Sequence, residues 1–174
     1  GILLTTTKED DAMAELTTLE EKLAEVIGLA EAAVKTTEKV EGMVEDESIV
    51  ASLRQMREEA EETARRGTGV AEQRDGKKTA ILEKAKGTKG EASEMAETYL
   101  GEDADGLDGF EFLTMAEAGE VGHWAVLKKL NEQAGEDQVS ELVEWALPIQ
   151  ERHFSEVKEG SLQLAGEKDP YEEA

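Results

Sequence analysis

The sequence predicts an all-α chain: a bundle of four long amphipathic helices, with a long, partly helical crossover between the second and the third. Three observations predict it. Aromatic residues are only 4% of the 174, so the core must be built from Leu, Ile, Val, Met and Ala, which suits packed helices better than stacked sheets. Apolar residues recur at spacings of three and four over long stretches. Half of the 16 glycines crowd between residues 67 and 109, separating one pair of periodic runs from another. The chain reads as a single domain over 1–174, with 67–109 as the crossover and 166–174 as a frayed tail.

The first helix is expected over about 9–44. It follows the acidic "KEDD", which suits a helix dipole, and carries Leu16, Leu19, Leu23, Ile27, Ala30, Val34 and Val40 on one stripe. The second follows "EDES", repeats Ile49, Leu53, Met56, Ala60 and Ala64, and is expected to end near 66 at "RRGTG". The short connection sets the two antiparallel. The glycine-rich stretch predicts a crossover with short helices near "KKTAILEKAK" and "EASEMAETYL". Asp108 is the expected N-cap of the third long helix, with Glu111 as its capping-box partner and Gly135 as its end. A fourth runs from about 136 to 164, with Pro148 expected to bend it or open its hydrogen-bond ladder.

Charge narrows the function classes. Lys and Arg total 19 against 42 Asp and Glu, a net charge of −23, which repels phosphate backbones and anionic lipid heads and speaks against nucleic acid and membranes as partners. Solubility alone accounts for such a surface, and recruitment of a basic partner is the other reading. Cysteine is absent, which removes disulfides, thiol chemistry and thiolate metal sites. No apolar run reaches the roughly 18 residues of a membrane span. The opening "GILLTTTKEDD" has no basic n-region and no long apolar stretch, so a cytoplasmic protein is the expectation.

Some polar residues fall on the apolar faces. At about 100° per residue, Leu113, Ala116, Trp124, Leu127 and Leu130 form one face of the third helix, with Glu120 near its centre and His123 on the same side. On the fourth helix Gln150 and His153 fall within the face made by Val139, Leu142, Val143, Ala146, Ile149 and Val157. On the first, Glu20 lies among Leu16, Leu23 and Ile27, and Glu31 is less central. An unpaired carboxylate buried among leucines costs several kcal/mol, comparable with a whole domain's stability of about 5–15 kcal/mol. It requires a proton, a basic partner or a cation. Arg57, at the edge of the second helix's apolar face, is an available partner for Glu120. A divalent metal would satisfy several such groups at once.

The stretch "AEAGEVGHWAVLKKLNEQAGEDQVSELVEWALPIQERHF" resembles the ferritin-like superfamily, and more narrowly the bacterial ferritin-like stress proteins whose third helix carries an E-x-x-H/Y-Y/W-x-x-L run. The resemblance covers about 110–160, and the first two helices match only by pattern. It implies a ferritin-like four-helix bundle binding iron, or else manganese, in its core. Glu20 and Glu120 would hold or bridge metal, His123 and His153 would complete the coordination, and Gln150 would be a weak ligand or a donor to one. With two irons, the implied chemistry is reaction with dioxygen or peroxide under stress, including iron oxidation. Two departures stand out. The second helix offers only Glu59 at its flank, and Gln150 stands where a glutamate is expected. A single metal, a site shifted towards Glu156, and a metal-free bundle acting by interaction all stay open, as does enzymatic activity. The alanine-rich faces leave homo-oligomerisation open too.

Other motifs fail on spacing. "GEDADGLDGFEF" departs from the calcium-loop template at Leu107 and beyond and reads as a turn with a helix cap. "RRGTG" and "GTKG" lack the flanking residues of a phosphate loop. Trp124 and Trp145 read as packing residues, and no Ser or other nucleophile has a motif around it.

Overall fold

The computed structural model describes residues 12–174 and builds them into five α-helices with no strand. These are α1 (Thr18–Glu41), α2 (Glu47–Glu72), α3 (Lys78–Tyr99), α4 (Gly106–Ala134) and α5 (Asp137–Gly166). None of them is long and apolar enough to cross a membrane.

Capping chemistry sets the starts. The Thr17 hydroxyl accepts from the Glu20 N–H at 3.1 Å, and Glu20 Oε1 accepts from the Thr17 N–H at 2.9 Å, a reciprocal box that opens α1. Of the expected earlier start, residues 9–11 lie outside the described range, and 12–17 are not helical. Asp46 caps α2, accepting from the N–H groups of Ser48 and Ile49 at 2.9 and 3.0 Å. The N-cap of α4 is Asp105, exchanging 3.0 Å bonds with Asp108. The expected cap at Asp108 with Glu111 is therefore corrected by three residues, to the pair whose short side chains reach both backbone donors. Gly135 ends α4 in the left-handed region, φ 66°, as expected of a terminal glycine.

The glycine-rich region departs most from expectation. The second helix does not stop at 66 but runs on through Gly67 and Gly69 to Glu72, and the two short crossover helices are one continuous α3. Gly67 is a packing residue, since a Cβ there would lie 2.6 Å from Ile27 Cγ1. Gly28 of α1 likewise lets α3 close on it, against Ala85, Thr88 and Lys89. Helical glycine costs about 1 kcal/mol relative to alanine, and burial of Ala80, Ile81, Ala85 and Ala96 on α3 offsets it. Pro148 lies within α5, which continues to Gly166. Lys168, in the tail, is 2.6 Å from Asp105.

Pairings between helices give their directions. Glu41 at the end of α1 meets Arg54 and Arg57 early in α2, while Ile27 meets Gly67 late in it. The two are antiparallel. Gly28 and Glu31 meet Ala85 and Lys89 in the same order, so α3 runs parallel to α1 and carries the chain back to the end where α1 finishes. Helix α4 opposes α1 through Gly109 on Val40 and His123 near Glu25. Finally, α5 opposes α4 through Asn131 on Ser140 and Thr114 on Ser161. Helices α1, α2, α5 and α4 each touch the next and close a ring, with α3 lying on α1 and along α2.

The core has two apolar halves. One holds Leu23, Ile27, Ile81, Trp124, Leu127 and Val143. The other holds Val40, Leu53, Met56, Phe110, Leu113 and Val157. Along α4 and α5 the residues between these halves are buried and polar: Glu117, Glu120, Gln150 and His153.

Candidate functional site

The polar layer between the two core halves is built from facing turns of α4 and α5. Glu117 lies one heptad before Trp124, and Glu120 one heptad before Leu127, so both follow the buried stripe inward. They are 1% and 4% exposed. Gln150 of α5, 6% exposed, donates through Nε2 to Glu117 Oε2 and to Glu120 Oε2, the latter at 3.2 Å. A primary amide has two N–H donors, and one goes to each carboxyl group.

Two carboxyl groups and one neutral amide do not balance as two anions. Burial, then the adjacent Glu117 charge and its hydrogen bond, push the Glu120 carboxyl well above the ordinary range, against the smaller opposing pull of Gln150. Burial therefore favours the protonated form of Glu120 over its carboxylate, with Glu117 directly beside it.

Beside this pair a cavity of about 240 Å³ opens between α1, α3 and α4. Leu29, Ala33, Met95 and Met115 form apolar walls, Glu117 and Glu120 its polar side. Met95 and Met115 are exposed, so the mouth lies at their side chains.

The five residues expected to share a metal occupy separate places. Glu120 and Gln150 are together. His153 is buried one turn further along α5, but its Nε2 is bonded to Glu59 of α2 at 3.0 Å, and Arg152 pairs with the same carboxylate. Burial raises Glu59, but the hydrogen bonds from Arg152 and His153 outweigh it and hold the group below its ordinary range. His123 is not inward: its side chain is 43% exposed, with Nδ1 2.9 Å from the Gly119 carbonyl and Nε2 3.5 Å from Glu25. A position about 60° from the centre of a face is at its edge, and there the ring turned to the rim of the cavity.

Glu20 stands at the end of the bundle. It is 3% exposed, yet it closes the α1 capping box, accepts from Arg74 Nε at 2.8 Å and lies 3.2 Å from Lys77 Nζ. Burial alone would raise it, but the Thr17 N–H, Arg74 and Lys77 together bring it down to about 2. Other expected partners are engaged elsewhere. Arg57 pairs with Glu41 rather than with Glu120, Glu156 with Arg152 at 3.1 Å, and Glu31 lies 3.8 Å from Lys89.

Among the described residues no group of three or more carboxylate and imidazole side chains is close enough to hold a metal ion. The donor set that does converge is two carboxyl groups and an amide, without imidazole, which is a poor fit to a carboxylate-and-histidine centre. Glu117 and Glu59 were absent from the expected site. For Glu117 the heptad relation to Trp124 was a usable signal. Glu59 was legible only as an acid at the flank of the second helix, since its contact depends on how α2 meets α5.

No known protein-family profile matches the chain, and no curated protein matches it.

Proposed function

We propose that this protein is a binding module on a ferritin-like four-helix bundle of α1, α2, α4 and α5, with α3 as the crossover helix, and that it acts by binding rather than by core metal chemistry. One observation carries this reading: each inward carboxyl group that a metal would have to neutralise already has its compensation within the chain. Glu20 has Arg74 and Lys77, Glu59 has Arg152 and His153, and Glu120 and Glu117 have the Gln150 amide, with burial favouring a proton on Glu120. A metal at any of these places must displace a cation or a proton that is already well placed. Within this reading the cavity beside the carboxyl pair is the functional feature, because it is the place where a buried charged group meets open apolar space.

The competing reading is iron or manganese held at Glu120, Gln150 and His153. What favours it is that these three are buried on facing turns, between the two core halves. Elemental analysis of protein purified without chelator, paired with thermal unfolding with and without added Fe(II) or Mn(II), separates the two. A binding module without core metal gives substoichiometric metal and an unchanged melting temperature. Stoichiometric metal that disappears in a Glu120→Ala/His153→Ala variant, with a melting temperature raised by the ion as linkage demands, would restore the metal centre.

A further inference from the structure

The cavity between α1, α3 and α4 has a chemistry that selects a ligand. Its walls are mostly apolar, Leu29, Met95, Phe112 and Met115 among them, and its polar side holds the Glu117–Glu120 pair, with Thr36 and the rim residue His123 also lining it. We propose that this cavity binds a small organic ammonium ion with a compact apolar body, whose charge is met by the Glu117–Glu120 carboxyl pair on the cavity's polar side.

Four considerations lead there. The first is charge. Among the described residues no lysine or arginine is bonded to either carboxyl group, and the donor they share from another helix is the neutral Gln150 amide. An ammonium group offers two or three N–H donors and a full positive charge, so both carboxylates can ionise on its arrival. An anionic ligand would face two acids, and a neutral one would bring no charge to meet them.

The second is size. An apolar cavity of about 150 Å³ accepts benzene, so about 240 Å³ accommodates a ring or short branched chain with an aminoalkyl arm. The third is access. Met95 and Met115 are 59% and 47% exposed, and methionine is a flexible residue that re-packs around differing apolar shapes. The fourth is long-range. A net charge of −23 concentrates cations at the surface and speeds their entry.

The bound ammonium keeps its own protons, and any proton carried by Glu120 passes to solvent as the pair ionises. No bond other than O–H breaks.

The inference rests on the reading of the protein as a binding module, and the experiment keeps the two failures apart. The full-length chain is titrated by calorimetry with phenethylammonium, near neutral pH and below it and at moderate salt, in two buffers of different ionisation heat. Phenethyl alcohol and hydrocinnamate are the neutral and anionic controls of the same shape. Expected are one probe per chain, proton release that grows as the pH is lowered, and binding of the alcohol and the acid weaker by about tenfold or more, equivalent to roughly 1.4 kcal/mol. A Glu117→Gln/Glu120→Gln variant, shown folded by its melting transition, loses the preference for the ammonium and the proton release. Met115→Trp, at the mouth and away from the carboxyl groups, weakens binding with the acids intact.

Equal binding of the alcohol would overturn the proposal, as would an ammonium preference retained by the Glu117→Gln/Glu120→Gln variant. Unchanged affinity in Met115→Trp would place the probe on the acidic surface instead and overturn it too. The metal content of the same sample decides the rest. No amine binding in metal-free protein removes the ligand class alone, whereas stoichiometric core metal removes the binding-module reading itself.

Discussion

Gln150 donates to Glu120 across the α4–α5 interface at 3.2 Å, and the same nitrogen serves Glu117. A glutamate at position 150 would put three carboxyl groups together in the core. An amide instead gives both acids a donor without adding charge, so the polar layer is satisfied by the protein itself. The opposite arrangement holds at the bundle's end, where Glu20 faces two cations. The chain thus buries acids under two regimes, one stabilised by a proton and the other by ion pairs, and these respond to pH in opposite directions.

Glu120→Gln is expected to stabilise the fold near neutrality. The folded-state pKa of Glu120 is raised above 4.5, so its contribution is fully present below the unfolded value and is lost as pH rises through the folded one. Replacing it with an amide that keeps a donor for Glu117 removes that loss. The gain should be of the order of 1–3 kcal/mol, the span for relieving a poorly compensated buried polar group, and should vanish below about pH 4. Urea denaturation of both proteins over a pH series checks it. A loss of stability at neutral pH would mean that burial does not raise the Glu120 carboxyl.

Glu20→Gln is expected to do the reverse. Here the folded value is lowered from 4.5 to about 2, so the stability is present above the unfolded value and is lost as pH falls from 4.5 towards 2. That gap, at roughly 1.4 kcal/mol per pH unit, sets an upper bound of about 3 kcal/mol at neutrality, which solvent around the partly exposed Arg74 and Lys77 lowers to about 1–2 kcal/mol. The variant should be destabilised by a comparable amount at pH 7 and show a flatter acid limb. Acid unfolding followed by circular dichroism reads both. An unchanged acid limb would assign the capping box alone to Glu20.

Helical class, the periodic faces and the inward placing of Glu120, Gln150 and His153 were all legible, because each follows from one helix's own repeat. What lay beyond the sequence depends on two helices at once. Nothing local to α2 says that Glu59 reaches His153, or that Arg74, in the turn before α3, bridges Glu20 and Glu136. The glycines misled for a related reason. Their density argues for open loops when read locally, whereas Gly28 and Gly67 are where α1 is approached closely by α3 and α2. The buried end of Glu20 was visible as a pattern, but the arginine and lysine that neutralise it come from more than 50 residues away, as their separations of 54 and 57 show.

The glycines divide into two kinds with opposite predicted behaviour. A Cβ at Gly28 would lie 2.8 Å from Thr88 Cβ and 3.1 Å from the Lys89 nitrogen, and would also meet the Ala85 carbonyl. Two of these three are backbone atoms, so α3 itself must move. Gly28→Ala should cost about 1–3 kcal/mol, the range for overpacking. Gly69, Gly87 and Gly90 have open space at the same position and lie inside helices, so alanine at each should add about 0.5–1 kcal/mol. Melting temperatures of the four single variants decide it. Stabilisation by Gly28→Ala would mean that α1 and α3 are further apart than described.

Asn131 performs the capping that Glu136 cannot. No side chain caps α5 from its own N-cap position, and the buried Asn131 fills the gap. Its Nδ2 donates to the Glu136 carbonyl at 3.0 Å and to Ser140 Oγ at 2.8 Å, while its Oδ1 accepts from the Glu136 N–H at 3.2 Å. One amide therefore fixes the turn at Gly135 and the first turn of α5. Asn131→Ala removes all three bonds and leaves the Glu136 N–H without this partner, so it should cost about 2–3 kcal/mol at roughly 1 kcal/mol per bond. Asn131→Asp retains the acceptor and loses both donors, and it adds a charge beside the partly buried Glu136, so it should be no better than alanine at neutral pH. A melting temperature lowered by about 5 °C or more in both, with faster hydrogen exchange of the Glu136 amide in Asn131→Ala, is the expected result. Exchange unchanged at that amide would show that the turn is held by its backbone alone.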